Sequence, residues 1–148
     1  TVKVMKEGRA VKSYNNNECD FRYRHSKFDE NDIVLSAAIR LKHEEPEKIR
    51  SRMEELAARR REKQPIAMPS AGSTFKRPER GYAAALIEES GLKGFAIGGA
   101  KVSEKHSGFI VNTGGASFDD VLSLIDYVKK TVFNKTGVVL SPEVKIIR

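Results

Sequence analysis

Apolar side chains recur every three or four residues in three stretches of the chain, and this spacing predicts three helices. Glu45-Pro46-Glu47 opens the first, with proline tolerated in the first turn and acids at the positive end of the dipole. Ile49, Met53, Leu56 and Ala57 follow at helical spacing, and Arg59, Arg60, Arg61 and Lys63 occupy the last turn, where cations suit exposed carbonyls. Glu55 and Arg59 stand four apart as an ion pair. A short helix is expected from Gly81 to Ser90, with Leu86 and Ile87 inward and Gly91 as its carboxyl cap. In the third, Ser117 caps, Asp119 and Asp120 fill the first turn, and Val121, Leu124, Ile125, Val128 and Val132 form the apolar stripe up to Gly137.

Elsewhere the pattern is that of strands. Val2 to Met5 and Ala10 to Tyr14 flank Lys6-Glu7-Gly8-Arg9, the composition of a strand pair joined by a glycine turn, and Asn15 to Asn17 break the pattern. Ile33 to Leu41 is β-branched and apolar enough for a buried strand, with Phe21 to Phe28 on the connection ahead of it. Gly94 to Asn112 reads as glycine-punctuated β structure in which Phe109, Ile110 and Val111 form the clearest strand. Val138 to Ile147 reads as strand interrupted at Ser141-Pro142, and Pro65 to Pro78 as a connector between helices. The expected class is α+β, with two or three antiparallel strands packed by helices in the second part.

Composition narrows the chemistry. Cys19 is the single cysteine, so an intrachain disulfide and a thiolate metal cluster are both excluded, and a small side chain near a turn is its plain reading. His25, His43 and His106 lack the i, i+4 spacing of a helical zinc site, so no metal is expected. The longest apolar run, Tyr82 to Ile87, is far below the ~20 residues of a membrane helix, and a soluble, cytoplasmic protein is the expectation. The first residue is Thr1 rather than Met, which suits a fragment or processed product. The net charge of +7 favours anionic partners. The basic residues are dispersed, without the interleaved aromatics of a nucleic-acid surface, and Arg59 to Arg61 is explained by capping and solvation.

The connector carries the best candidate site. Ser70, Ala71, Gly72 and Ser73 are small enough for a ligand to approach the backbone, and Lys76 and Arg77 bring positive charge to the same place. Ser73 read by itself is a turn serine bonding the backbone. Glu143 and Lys145 share one face of the expected last strand, and the plain reading is a surface ion-pair ladder. Tyr23 and Arg24 combine a hydroxyl with a group able to grip a carboxylate in a bidentate manner. His106 reads as a hydrogen-bonded structural histidine, and Gly98-Gly99 fits either a tight turn or a close backbone approach.

Ser70-Ala-Gly-Ser-Thr-Phe-Lys-Arg-Pro78, Gly91-Leu-Lys-Gly94, Ile97-Gly-Gly-Ala100, Val102-Ser-Glu-Lys-His-Ser-Gly-Phe-Ile-Val-Asn112 and Pro142-Glu-Val144 occur in the order found in one family. Together with Phe21-Arg-Tyr-Arg-His-Ser-Lys-Phe28, they make the chain resemble the carboxy-terminal half of the UDP-N-acetylenolpyruvoylglucosamine reductases, in the branch with the short connector. The resemblance implies the tail of a mixed, β-rich flavin-binding domain over residues 1–64, with the connecting helix, and a small α+β substrate-binding domain over 65–148.

It also implies FAD and NADPH as cofactors, UDP-N-acetylglucosamine enolpyruvate as substrate and UDP-N-acetylmuramate as product. The family's amino-terminal flavin-binding region has no counterpart here, so residues that seat the cofactor are not assigned and the isolated chain is expected to be inactive. By resemblance Ser73 donates a proton to the substrate carbon. Arg24 stabilises charge on the substrate carboxylate, and Glu143 assists the enolate-like intermediate; as a hydrogen-bond donor it has to keep its proton, which burial favours. Tyr23 and Arg77 are implied substrate contacts; Lys63, which leads into the connector, and Lys145 are candidate substrate contacts by position. The alternatives are a non-catalytic nucleotide-sugar binding module and, last, a basic nucleic-acid-binding domain.

Overall fold

The computed structural model describes residues 1–6, 10–29 and 31–147, and these divide into two compact units, Thr1–Pro46 and Glu47–Arg148. The expected glycine turn of Glu7, Gly8 and Arg9 lies outside the described residues. In the first unit, strands β1 (Val2–Met5), β2 (Val11–Tyr14) and β3 (Ile33–Ala37) form an antiparallel sheet in the order β2-β1-β3. A short 3-10 helix, Asn17–Cys19, follows β2. The Lys6 ammonium pairs with Asp32, whose side chain is 2% exposed, and ties the end of β1 to the start of β3. Tyr14 meets Phe28 edge to face, with Lys27 over its ring. Cys19 is buried beside its turn, as its plain reading holds.

β3 ends at Ala37 rather than Leu41, and the expectation that it is buried is wrong for this chain: all five of its residues are exposed. The reason is its position, since β3 is an edge strand with a neighbour on one side only.

The second unit opens with helix α1 (Pro46–Lys63), whose Glu55–Arg59 ion pair forms at 2.7 Å. Its expected apolar stripe faces outward: Ile49, Met53 and Leu56 are exposed. Strand β4 (Ser70–Ser73), helix α2 (Ala83–Glu89), strands β5 (Ala96–Ile97), β6 (Ala100–Val102) and β7 (Phe109–Asn112), and helix α3 (Phe118–Thr136) complete it. The sheet order is β4-β7-β6-β5, antiparallel throughout. Ala100, Val102 and Ile110 turn toward Leu124, Ile125, Val128 and Val132 of α3 and Ile87 of α2, closing one hydrophobic core.

Local signals place α3 where the sequence puts it. The Ser117 hydroxyl accepts from the Asp120 amide at 3.1 Å, the Asp120 carboxylate accepts from the Ser117 amide at 2.9 Å, and Gly137, at φ 71°, ends the helix. Gly91 likewise follows α2 with φ 74°. Two expectations are corrected. The Pro65–Pro78 connector contains a strand, β4, because β7 supplies ladder partners that a Ser-Ala-Gly-Ser composition does not advertise. Val138 to Ile147 is not a strand: it makes one isolated bridge, Pro142 to Phe75, and Pro142 has no amide with which to extend a ladder.

Candidate functional site

Ser73 ends β4, opposite Phe109 of β7, after a register shift that begins at Ser70. Gly72 makes this shift possible with φ +87°, a conformation that L side chains rarely adopt, and a Cβ built there meets nothing within 4 Å. The backbone beside Ser73 is therefore open to a ligand. Ser73 itself is exposed, whereas the next two residues, Thr74 and Phe75, are buried.

Thr74 holds three segments together, the end of β4, the start of β7 and the tail. Its amide donates to the Gly108 carbonyl at 2.8 Å, its hydroxyl accepts from the Ile110 amide at 3.1 Å, and its carbonyl accepts from the Glu143 amide at 2.8 Å. The Lys76 amide donates to the Ser141 carbonyl at 2.8 Å, so residues 141–143 run antiparallel beside residues 74–76. This places the Glu143 backbone one residue from Ser73. Oε2 of Glu143 is screened from solvent, although the residue as a whole is half-buried. The expected two-face division of the tail gives way to packing: Val144 lies against the core, and Lys145 is exposed.

Two cavities flank the paired segments. One of about 500 Å³ is mostly apolar and lies between Ser70 and Ala71 of β4, Phe118 and Val121 of α3, and Val144 and Lys145 of the tail. The other, about 610 Å³, is lined by Lys76, Arg77, Arg80 and the Gly137 end of α3. Arg77 stacks its guanidinium over the Tyr82 ring at 4.4 Å, which fixes the direction of its charge. Lys63 lies exposed at the end of α1. Nearby, Lys105 donates to the Arg61 carbonyl at 2.6 Å, and both residues line a third cavity of about 530 Å³ with Ile66 and Met68.

Tyr23 and Arg24 belong to the first unit, where Arg22 and His25 exchange backbone hydrogen bonds at 3.0 and 3.1 Å around them. Arg24 adopts φ 52°, uncommon for a residue with a side chain, and the Asp20 carboxylate braces the turn by accepting from Arg22 and meeting the His25 ring. Those contacts hold the Asp20 carboxyl below its ordinary value, chiefly through the Arg22 hydrogen bond.

The remaining candidates resolve as structure. His106 accepts the Gly108 amide on Nδ1 at 3.2 Å and meets Phe109 edge to face. A Cβ on Gly99 would sit 2.4 Å from the Ala116 nitrogen, and the Asp120 carboxylate accepts from the Gly99 amide at 3.3 Å, so this glycine answers a close approach of backbone. Among the described residues no cluster of His, Cys, Asp and Glu could hold a metal ion, and no helix is long and apolar enough to cross a membrane. Sequence reasoning did not single out Thr74 or Tyr82 as positioning residues, and it took Asp120 as a first-turn acid of α3 without its bond to Gly99. Asp120 alone carried a local signal, the capping spacing from Ser117.

Residues 64–147, which hold the glycine-bulged serine strand, the tail bridged beside it and the helix-covered antiparallel sheet, match the family model "UDP-N-acetylenolpyruvoylglucosamine reductase, C-terminal domain". A relative of that name from Caldanaerobacter subterraneus subsp. tengcongensis is 56% identical over 147 residues, covering 99% of this chain and 49% of the relative. One from Pediococcus pentosaceus is 47% identical over 148 residues, covering 99% and 49%. The crystal structure of the reductase from Thermus caldophilus superimposes with a TM-score of 0.80 at 36% identity, covering 98% of this chain and 52% of that one. The chain belongs to the UDP-N-acetylenolpyruvoylglucosamine reductase family, oxidoreductases of peptidoglycan synthesis. It spans about half the length of the curated relatives it matches.

Proposed function

We propose that this chain supplies the substrate-handling half of an NADPH-linked, FAD-dependent reduction of UDP-N-acetylglucosamine enolpyruvate to UDP-N-acetylmuramate, carried out in the cytoplasm. The observation that carries this reading is the antiparallel pairing of residues 141–143 with 74–76, which holds the segment bearing Glu143 against the residue that follows Ser73. In this reading residues 1–64 are the tail of the flavin-binding domain and 65–148 the substrate-binding domain.

When bound, FAD supplies a hydride taken from NADPH. The open backbone beside Gly72 suits the approach of a flat ring, and the residues that seat the cofactor are assigned to the relatives' other half. This chain's own groups then act on the substrate. Negative charge that develops toward the substrate carboxylate is met in the second unit by the half-buried Glu143, and Arg24 and Tyr23 of the first unit are assigned, on the family resemblance alone, to binding that carboxylate. Ser73 delivers the proton to the neighbouring carbon. Arg77, aimed by Tyr82, meets the anionic diphosphate, and Lys63 and Lys145 add charge around it.

Titration calorimetry of the folded chain with the enolpyruvyl nucleotide sugar, at physiological salt, tests the site. Saturable binding that Arg77→Ala abolishes supports it. Absence of binding, both to the folded chain and to the chain completed with a relative's amino-terminal half, overturns it. Binding without NADPH oxidation in the completed protein leaves a non-catalytic nucleotide-sugar module.

A further inference from the structure

Arg24 stands on a backbone conformation that its side chain does not favour. Tyr23 and Arg24 are the two corner residues of a turn that Arg22 and His25 close with backbone hydrogen bonds at 3.0 and 3.1 Å, and Arg24 takes the second corner at φ 52°. A second corner with positive φ is a place for glycine or asparagine, and an arginine there is strained. Among the described residues the other non-glycine residue with positive φ is Asp20, at 47°, and aspartate is one of the few side chains that tolerate it. The conformation of Asp20 is thus met by its own chemistry, whereas that of Arg24 has to be held by its surroundings.

Those surroundings have two tiers. At the base of the loop the Lys27 amide donates to the carbonyl of the buried Cys19 at 2.9 Å, and the Lys27 ammonium lies over the Tyr14 ring, which ties both ends of the loop to β2. At the tip, Oδ2 of Asp20 accepts from Nη2 of Arg22 at 2.7 Å and meets Nε2 of His25 at 3.2 Å. One carboxylate oxygen therefore joins the side chains on the two flanks of the turn. The base fixes where the turn stands, and the Asp20 bridge fixes the form of its tip.

We propose that Asp20 is a positioning residue for the reduction: by bridging Arg22 and His25 it holds the Tyr23-Arg24 turn in its strained form, from which the Arg24 guanidinium is presented to the substrate carboxylate. The proposal rests on the family reading, which supplies the role of Arg24. Asp20 itself touches neither substrate nor cofactor and acts through Arg24. A guanidinium grips a carboxylate through two parallel hydrogen bonds, and that geometry is lost when the backbone beneath it turns. Misplacement by about 1 Å costs about 10²-fold in rate. The bridge contributes little to stability, because its side chains are half or more exposed, so its effect belongs in turnover rather than in melting.

Substrate-dependent NADPH oxidation by the whole chain, completed with the amino-terminal half of the Caldanaerobacter relative, provides the test. Asp20→Gly removes the carboxylate and accepts φ 47° without strain, whereas Asp20→Asn keeps an oxygen that can accept from Arg22. Arg22→Ala cuts the same bridge from its other end, at an exposed residue. In Asp20→Gly kcat is expected to fall by about tenfold to 10²-fold with KM for NADPH unchanged, and Asp20→Asn should restore most of it. Arg22→Ala should lower kcat in the same direction. In an Arg24→Ala background Asp20→Gly should change kcat no further, since nothing is left to position. Hydrogen exchange at the Arg22 and His25 amides should quicken in Asp20→Gly, while exchange at β1 stays as in wild type.

Unchanged kcat in either bridge variant, with Arg24→Ala impaired, overturns the positioning role and leaves the assignment of Arg24 standing. So does a loss in Asp20→Gly that persists undiminished without the Arg24 guanidinium, which would make Asp20 a purely structural residue. An Arg24→Ala variant that turns over like wild type, or a completed wild type without turnover, overturns the family assignment of Arg24 and the proposal with it.

Discussion

The Glu143 amide donates to the Thr74 carbonyl at 2.8 Å, and this contact holds the tail of the second unit against the residue that follows Ser73, the last of its first strand. Neither local chain segment enforces the meeting. It depends on Thr74, buried between β7 and the tail, and on Phe75, whose bridge to Pro142 anchors the same pairing in the core.

Replacing Thr74 by valine keeps the shape and removes the acceptor for the Ile110 amide. The buried donor is then left without its partner, a loss of about 1–3 kcal/mol. Thermal unfolding of Thr74→Val is expected to fall below wild type by several degrees, with Thr74→Ser recovering most of the difference. Equal melting of the valine variant and wild type would mean that the Ile110 amide finds another acceptor.

Gly99→Ala tests steric closeness without backbone strain. Its Cβ would meet the Ala116 nitrogen at 2.4 Å, and backbone cannot move aside as a flexible side chain can. A destabilisation of at least about 1–3 kcal/mol is expected, typical of overpacking. Gly72→Ala, with φ +87° and nothing within 4 Å, meets only the left-handed penalty of about 1–2 kcal/mol. If chemical denaturation ranks the two the other way round, the contact at Gly99 is not the constraint.

The Asp120 carboxylate accepts the Ser117 and Gly99 amides, and these bonds hold its folded pKa below the ordinary 3.8. A depressed carboxyl stabilises the fold fully above the ordinary value and loses that contribution as the pH falls through the folded value. Asp120→Asn should therefore be less stable than wild type near neutral pH, and the gap should close below 3.8. Denaturant midpoints across that range decide it, and a constant gap would assign the loss to packing instead.

In the protein completed with its amino-terminal half, Ser73→Ala should lower kcat by about 10²- to 10⁴-fold, the usual span for a positioned proton donor. Substrate affinity should stay near that of wild type, since a transition-state role leaves the ground state unaffected. Glu143→Gln should act in the same direction. Loss of binding in step with loss of turnover would make Ser73 a substrate contact rather than a proton donor.

What the sequence disclosed depended on how local the determinant was. Helix α3 was legible because Ser117, Asp120 and Gly137 act within a turn of its ends. Strand β4 was not, because Ser-Ala-Gly-Ser has little preference for extension and takes it from β7. β3 was read correctly as a strand and wrongly as buried, since composition records the environment a strand is built for and this sheet leaves its outer edge bare. The roles proposed for Ser73, Arg77 and Glu143 rest on motif resemblance. The Thr74 and Tyr82 contacts that orient their surroundings link segments far apart in sequence, where no local pattern points to them.

The bridge between Phe75 and Pro142 also works as a ruler. The tail is registered against the sheet by the Lys76–Ser141 and Glu143–Thr74 hydrogen bonds, and Leu140 just before them is buried in the core. With so short a span between anchor and carboxylate, one residue inserted between Leu140 and Glu143 shifts the register by one. A one-residue slip moves Glu143 to the position that Val144 holds against the core and moves Val144 outward to that of the exposed Lys145. Length variation across these few positions should therefore be far more damaging than beyond Lys145, so the spacing matters to the proposed site as much as the glutamate does.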